Sequence, residues 1–306
     1  MPHFHLPPGT LWPAVVRKTS HALACGALHP IETTTSFIED CGVCFVVRQV
    51  SSLARKDKAR RQDEAGTRRA QADPFQPCDP DLLVGDISDS HLAVLNKFSV
   101  IDHHLLIVTR YFAPQEALLN VADFAALLAC MAEYPSLGFY NGGRIAGSSQ
   151  PHKHLQTVPL AGAGSTVPIA PLLALATTGT GEPEPCSVPG LGFPHAFAAL
   201  DQTGPVDVLA RIACERYYRL LGAVGLGAVE VEGEPHQSAP YNLLVMPEGM
   251  LLVPRRAAEV EGVALNALGF AGTLFVRNAA QMHTIRQLGP MTILRRAAGV
   301  APPGRA

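Results

Sequence analysis

The residues best suited to chemistry lie in one short stretch, Gly147-Ser-Ser-Gln-Pro-His-Lys-His-Leu-Gln156. Side chains alternate between the two faces of a strand, so His152, His154 and Gln156 are expected to project from the same face. A neutral imidazole can attack phosphorus and hold the group covalently, which divides one displacement into two steps. A glutamine amide can donate to phosphate oxygens without adding a charge. The pattern predicts phosphate chemistry.

The surrounding sequence predicts a sheet flanked by helices. Strands are indicated by β-rich, apolar or hairpin patterns at residues 45–50, 91–97, 104–109, 241–246 and 250–253. Helices are indicated by the spacing of apolar residues at 15–28, 120–134 and 206–221, and a last helix is expected around 277–287. These elements predict an α+β fold with a mainly antiparallel sheet.

The length of 306 residues allows one large domain or two small ones. We expect a single domain spanning residues 1–306. Its N-terminal part, about 1–160, carries the histidine strand, and its C-terminal part, about 200–300, completes the sheet. Residues 161–201 are rich in Gly, Pro, Ala and Thr without periodicity, so we interpret them as a long excursion and a candidate lid.

Composition excludes several classes of protein. The chain is 47% hydrophobic and 16% charged, which is inconsistent with overall disorder, and its net charge of -2 gives no global field for nucleic acid. The basic run at residues 55–69 is interpreted as a solvated surface, or alternatively as help in holding polyanionic nucleotide tails. There is no signal-peptide core and no apolar run of about 20 residues. Seven scattered cysteines do not form a disulfide framework. We expect a cytoplasmic protein without membrane or nucleic-acid partners.

One cysteine pair, Cys41-Gly-Val-Cys44, has the spacing of metal ligands. The pair leads directly into the predicted strand at 45–50, and the sequence has no second Cys-x-x-Cys. We prefer structural cysteines and keep a zinc site as the alternative. The histidines that could complete such a site are His103, His104 and His152.

Residues 141–156 resemble the active-site strand of the histidine-triad superfamily in its transferase branch. The whole chain, from about residue 11 to about 296, resembles the ATP adenylyltransferases, also called diadenosine tetraphosphate phosphorylases. The resemblance implies a histidine-triad-like core. Further blocks that carry it are Phe45-Val-Val-Arg, Ser51-Ser-Leu-Ala-Arg-Lys56, Asp81-Leu-Leu-Val-Gly-Asp86, Leu95-Asn-Lys-Phe98, Asp102-His-His-Leu-Leu-Ile-Val-Thr-Arg110, Pro194-His-Ala-Phe197, Tyr241-Asn-Leu-Leu, Met250-Leu-Leu-Val-Pro-Arg255 and Asn266-Ala-Leu-Gly-Phe-Ala-Gly272.

The resemblance implies a role for each residue of the histidine row. His154 would be the nucleophile that attacks an α-phosphorus. The backbone carbonyl of His152 would accept a hydrogen bond from His154 Nδ1, which leaves a lone pair on Nε2. Gln156 occupies the position of the third histidine of the hydrolase branch. Because glutamine cannot release a proton, this residue favours transfer to phosphate over transfer to water.

The resemblance also implies two groups of binding residues. The α-phosphate would be held where small residues let backbone N–H groups approach an anion, at Asn141, Gly147, Ser148 and Ser149. Lys56 and Lys97 are candidates for the β- to δ-phosphates, with ordinary surface lysines as the alternative, and Asn96 matches a nucleoside-side position or a turn residue. His195 and Asn242 belong to the shared blocks without an assigned role.

The activity implied is a ping-pong nucleotidyl transfer. His154 takes AMP from diadenosine tetraphosphate and releases ATP, and inorganic phosphate then collects the AMP as ADP. Adenylyl sulfate could also serve, giving ADP and sulfate. Mg²⁺ or Mn²⁺ would arrive with the nucleotide rather than in a protein cage. The protein would be a monomer or a homodimer.

Three alternatives stay open on the same motif. A hexose-1-phosphate uridylyltransferase also has His-x-His-x-Gln, and some members of that branch bind zinc through Cys-x-x-Cys and histidines. A dinucleoside polyphosphate hydrolase is disfavoured by Gln156. A non-catalytic nucleotide sensor is disfavoured because both the nucleophile and the loop are present.

Overall fold

The computed structural model describes residues 5, 7–51, 73–160, 166–176 and 185–300 of the 306-residue chain. Lys56 and the basic run at 55–69 lie outside the described residues. Within them the helices, numbered in chain order, are α1 Leu11–Ala24, α2 Val121–Met131, α3 Ala170–Ala176, α4 Val206–Ala223, α5 Ala267–Phe270, α6 Ala279–Leu288 and α7 Pro290–Ala297. None of these described helices is long and apolar enough to cross a membrane.

The strands form one large sheet and three small ones. The strands are β1 Thr33–Asp40, β2 Val43–Val50, β3 Leu83–Asp86, β4 His91–Leu95, β5 Leu105–Thr109, β6 Ser136–Gly142, β7 His154–Pro159, β8 Ala196–Ala198, β9 Ala228–Val231, β10 Glu234–Gln237, β11 Tyr241–Met246, β12 Gly249–Pro254, β13 Glu259–Val260, β14 Val263–Ala264 and β15 Thr273–Val276. The large sheet has the order β3-β4-β5-β7-β6-β11-β12-β8, and all its pairs are antiparallel. A second sheet has the order β1-β2-β15, with β15 parallel to β2. The predicted α+β class with a mainly antiparallel sheet is confirmed.

Both faces of the large sheet are covered. In β11, Leu243 and Val245 pack into the hydrophobic cluster that contains residues of α1, α2 and α4. Their neighbours Leu244 and Met246 pack into a second cluster, formed with the β1-β2-β15 sheet and α5 to α7. Burial on both faces explains why these strands read as almost continuous apolar runs.

The ends of two helical regions differ from the sequence prediction. Helix α1 begins at Leu11 rather than residue 15, because Pro13 is tolerated in a first turn, and it ends before Gly26, whose φ of 75° reverses the chain. The expected last helix at 277–287 is followed by a further helix, α7. Gly289, with φ of 80°, separates α6 from α7, and Pro290 opens the second of them.

The described part of residues 161–201, which we interpreted as a long excursion and a candidate lid, contains a partly buried helix and a buried strand. Strand β8 pairs with β12 at the edge of the large sheet, and all three of its residues are buried. Leu173 of α3 is also fully buried, in the second hydrophobic cluster. Sequence periodicity cannot reveal such elements, because a seven-residue helix and a three-residue strand are too short to show a period.

Candidate active site

A cavity of about 1400 Å³ is lined by nearly all of the described residues that the sequence analysis proposed as site residues. Both halves of the chain line it, since residues of the 258–281 region face those of β4 to β7. Among the nominated residues, those that line the cavity are Asn96, Lys97, Asn141, Gly147, Ser148, Ser149, His154 and Gln156. His152 does not line it.

His154 is the first residue of β7 and only 4% of its surface is exposed. Its Nδ1 donates to the carbonyl oxygen of His152 at 2.8 Å, the bond that the resemblance implies. Burial lowers the pKa of His154 to about 4 against the opposing effect of that bond. Its Nε2 has no hydrogen-bond partner among the described residues. The imidazole is therefore neutral at pH 7, with a free lone pair beside the cavity.

His152 precedes β7 instead of lying within it, so the expected row of three strand residues begins only at His154. The chain here pairs with residues 113–115, through Lys153 N to Ala113 O, and Pro151 has no N–H to offer the sheet. The ring of His152 is fully buried. Its Nδ1 lies 2.6 Å from Asp73 Oδ2 and its Nε2 lies 2.8 Å from the carbonyl oxygen of Thr109. The hydroxyl of Thr109 also lies 2.9 Å from Nε2, and these contacts on both ring nitrogens hold the ring and the backbone of His152 in place.

A hydrogen-bond chain that the sequence did not indicate fixes the orientation of Gln156. Asn96 Nδ2 donates to His104 Nδ1 at 3.0 Å, so the proton of His104 lies on Nε2 and is donated to Gln156 Oε1 at 2.8 Å. Burial lowers the pKa of His104 to about 4, which keeps this tautomer neutral. The NH₂ group of Gln156 donates to no described residue and is left for the cavity.

Asn96 and Lys97, which the sequence analysis also proposed as binding residues, lie at the cavity wall. The NH₂ group of Asn96 donates to His104, so Asn96 contributes to the hydrogen bonds that orient Gln156. The side chain of Lys97 is 44% exposed, and its Nζ lies 3.8 Å from Asp79 Oδ2, so the ammonium is accessible to an anion. Lys56 is outside the described residues.

The turn at residues 143–149 requires glycine at Gly147. Its φ is 101°, and a Cβ there would lie 2.7 Å from the carbonyl oxygen of Leu265. The N–H groups of Gly147 and Ser148 already donate to carbonyls inside the turn, whereas the N–H of Ser149 donates to no described residue. Ser149 is therefore the backbone donor that the turn leaves for an anion.

Gln115 is a site residue that sequence reasoning missed. Strands β6 and β7 pair from Ser136 with Pro159 to Phe139 with Gln156, and the ladder then stops. Beyond it the fully buried amide of Gln115 accepts from His154 N at 2.9 Å and donates to the Asn141 carbonyl at 2.9 Å. This side chain replaces the missing ladder bonds and holds the two strands apart. The gap between Asn141 and His154 follows from it, and no local pattern marks Gln115.

Cys41 and Cys44 lie at the hairpin between β1 and β2, away from the residues that line the cavity. Burial and a hydrogen bond to Asp40 raise the pKa of Cys41, and a hydrogen bond to Glu39 raises that of Cys44. Both effects favour the neutral thiol over the thiolate. A different group of described residues has the spacing that a metal would need. It consists of His21, Cys25 and Asp81, whose ligand atoms lie within 4.8 Å of one another.

Comparison with known proteins agrees along most of the chain. Residues 1–175 match the Ap4A phosphorylase N-terminal domain, and residues 189–300 match the ATP adenylyltransferase C-terminal domain. The chain is 25% identical over 293 residues to diadenosine 5',5'''-P1,P4-tetraphosphate phosphorylase 2 of Saccharomyces cerevisiae, covering 88% of this chain and 85% of that protein. It is 26% identical over 286 residues to Protein APA1 of the same yeast, covering 85% of each.

Solved structures share the fold. The crystal structure of yeast Ap4A phosphorylase Apa2 superposes with a TM-score of 0.76 at 22% identity, covering 100% of this chain and 98% of that one. The crystal structure of Apa2 in complex with Ap4A gives a TM-score of 0.72 at 20% identity, covering 97% and 98%. Since the first family model alone matches more than half of its residues, this chain belongs to the Ap4A phosphorylase family.

Proposed function

We propose that this chain is a nucleotidyltransferase that cleaves diadenosine tetraphosphate by phosphorolysis, giving ATP and ADP. The observation that carries the proposal is the state of His154, a buried neutral imidazole whose free Nε2 lies beside a large cavity. The yeast relatives named as Ap4A phosphorylases, and the Apa2 structures with Ap4A and AMP, support the choice of nucleotide.

In the first step Nε2 of His154 attacks the α-phosphorus of the dinucleotide. A nitrogen–phosphorus bond forms, the bond from that phosphorus to the bridging oxygen breaks, and ATP leaves with the electron pair on its terminal phosphate. The leaving group is stable as an anion at neutral pH, so Gln156 needs to donate hydrogen bonds but no proton. The NH₂ groups of Asn141 and Gln156 and the N–H of Ser149 would stabilise the charge on phosphorus-bound oxygens, since all three residues line the cavity.

In the second step an oxygen of inorganic phosphate attacks the adenylyl phosphorus. The nitrogen–phosphorus bond breaks, ADP leaves, and His154 regains its neutral form. The retained Nδ1 bond to the His152 carbonyl keeps the ring in the same orientation for both steps. The same two steps in reverse form the tetraphosphate from ATP and ADP, and adenylyl sulfate is a further candidate donor of AMP.

A divalent cation, Mg²⁺ or Mn²⁺, would be held mainly by the nucleotide's phosphates. Among the described residues that line the cavity, the carboxylates are Asp73 and Asp79, which already contact His152 and Lys97. That donor set is too sparse for a protein cage, but it is compatible with an ion that neutralises phosphate charge on arrival. Inorganic phosphate as acceptor, a monomeric or dimeric state and a cytoplasmic location belong to the same proposal.

One assay tests the function. Purified protein is incubated with diadenosine tetraphosphate, with and without inorganic phosphate, and the products are identified. We expect ATP and ADP only when phosphate is present, and we expect His154→Ala to lower the rate by at least about 10³-fold. ATP and AMP formed without phosphate would indicate the hydrolase instead, and transfer from a nucleotide sugar would indicate the uridylyltransferase.

A further inference from the structure

Two buried residues of the C-terminal half lie directly behind the phosphate turn. Asn242, on β11, has no exposed surface, and Arg255, just after β12, is 1% exposed. Arg255 Nη1 donates to Asn242 Oδ1 at 2.6 Å and to the Ala146 carbonyl at 3.2 Å. Asn242 Nδ2 donates to Asn141 Oδ1 at 2.8 Å and also to Ala146. An unbroken chain of hydrogen bonds therefore links Arg255 to a residue of the cavity wall.

The direction of every hydrogen bond between Arg255, Asn242 and Asn141 is determined by groups that can only donate. A guanidinium has no acceptor, so Asn242 must present its oxygen to Arg255 and its NH₂ to Asn141. The oxygen of Asn141 also accepts from the backbone N–H of Ala267 at 2.9 Å. With its oxygen held by two donors, Asn141 must turn its NH₂ group away, and that group donates to no described residue. Asn141 lines the cavity, so the free NH₂ is available there.

Arg255 also brings a positive charge that no described carboxylate neutralises. Its other acceptors are the backbone carbonyls of Ala257 and Leu265, and its guanidinium lies 5.3 Å from the centre of the Phe270 ring. Burial lowers the pKa of Arg255 to about 10, so the side chain stays charged at pH 7. A buried cation bonded to the residue before Gly147 makes the turn favourable for an anion.

We propose that Asn242 and Arg255 are positioning residues that act through Asn141, by holding its carboxamide with the NH₂ group toward the α-phosphate. With the opposite orientation an amide oxygen would face the phosphate oxygens and repel them. The inference rests on the proposed nucleotidyl transfer, and it gives the C-terminal half a defined part in a site whose nucleophile lies in the N-terminal half.

Asn242→Asp tests the orientation separately from folding. The carboxylate still accepts from Arg255, and it compensates the buried charge, but it cannot donate to Asn141 Oδ1. We expect single-turnover transfer of labelled AMP from diadenosine tetraphosphate to the protein to slow on the order of 10²-fold, the usual cost of one lost oxyanion donor, while the midpoint of thermal unfolding stays within a few degrees. Gln202→Glu is the matched control, because its amide donates to Met246 O at the far end of β11 and does not line the cavity. It should transfer AMP at the wild-type rate.

A double-mutant cycle tests whether Asn242 acts through Asn141. In an Asn141→Ala background there is no carboxamide left to orient, so Asn242→Asp should change the rate by less than about tenfold, the part of its effect that comes from compensating the charge of Arg255. A further loss of about 10²-fold in that background, or a wild-type rate in the single variant, would overturn the proposal.

A measurement on the unaltered chain covers the case in which the aspartate variant does not fold. In protein labelled with ¹⁵N-asparagine, the side-chain NH₂ signals of Asn141 are identified by their absence from Asn141→Ala. They should shift when AMP binds, and an unshifted pair would overturn the inference.

If the wild-type protein accepts no AMP from the dinucleotide, the proposed function itself fails. If wild type and Asn242→Asp are labelled equally fast, only the positioning role fails.

Discussion

At the scale of single residues, burial determines the chemistry of the two imidazoles at this site. His154 and His104 are both buried, and each holds its one proton against an acceptor, the His152 carbonyl and Gln156 Oε1. Burial lowers both pKa values to about 4. A surface histidine would be about half protonated near pH 6.5, and the protonated fraction would have no lone pair on Nε2. Removing water from His154 is therefore what keeps its Nε2 lone pair available in mildly acidic conditions.

The same burial predicts how stability depends on pH. In the unfolded chain both histidines titrate near 6.5, whereas the folded chain resists protonation until about pH 4. The unfolded state binds protons first, so the free energy of unfolding should fall as pH drops from about 6.5 toward 4, by up to about 1.4 kcal/mol per pH unit for each histidine. His104→Gln should lower this slope by up to about 1.4 kcal/mol per pH unit. Urea unfolding at several pH values measures it, and equal slopes in both proteins would contradict the prediction.

At the scale of elements, Lys153 joins the start of β7 to a helix. It lies between the two histidines, and its buried Nζ donates to Asp123 Oδ2 at 2.7 Å and to the Leu118 carbonyl at 2.8 Å. Asp123 belongs to the capping box of α2, and its other oxygen lies 3.0 Å from His91 Nε2. Burial alone would raise the pKa of Asp123, but the contacts with His91 and Lys153 lower it below its usual value. One buried ion pair thus sets the position of β7 relative to α2.

Lys153→Met should destabilise the protein by about 3–5 kcal/mol, because it leaves the carboxylate of Asp123 buried without its cation. The control is Arg211→Ala, which removes an exposed pair with Asp207 on α4 and should cost no more than about 0.5 kcal/mol. Urea unfolding at pH 7 compares the two variants. A cost below about 1 kcal/mol for Lys153→Met would show that water or His91 compensates the charge.

At the scale of the whole molecule, neither half of the chain has a complete site. Strand β6, from the N-terminal half, pairs with β11, from the C-terminal half, in the interior of the eight-stranded sheet. The hydrogen bond between Asn141 and Asn242 crosses the same boundary. Both hydrophobic clusters also contain residues from each half, so the sheet and its two cores depend on the entire chain.

A fragment of residues 1–200 tests the expectation of a single domain. Without β11 and β12, strand β6 becomes an exposed edge and both clusters lose their central apolar side chains. We expect the fragment to bind a hydrophobic dye and to show no cooperative thermal transition, whereas the full chain should unfold in one transition. A sharp transition in the fragment would mean that the N-terminal part is an independent domain.

Sequence patterns predicted the long elements better than the short ones. Apolar spacing located α2, α4 and the β11–β12 hairpin to within a few residues, because burial on one or both faces leaves a repeated pattern. Strand β1 went unpredicted: its residues, Thr33–Asp40, are mostly polar and half-exposed, and the strand is stabilised by its pairing with β2. Helix α3 and strand β8 were too short for any period to appear.

The sequence by itself determined which chemical groups the site contains. His154, Gln156 and the turn around Gly147 lie within ten residues of one another, so local spacing was enough to bring them together. Only the tertiary structure decided how they are oriented. Gln115 is 39 residues from His154, Asn242 is 101 residues from Asn141, and Arg255 is 109 residues from Ala146. A buried amide or guanidinium has no periodic signature, because its partners are selected by the fold and by the need of each buried polar group for a hydrogen bond.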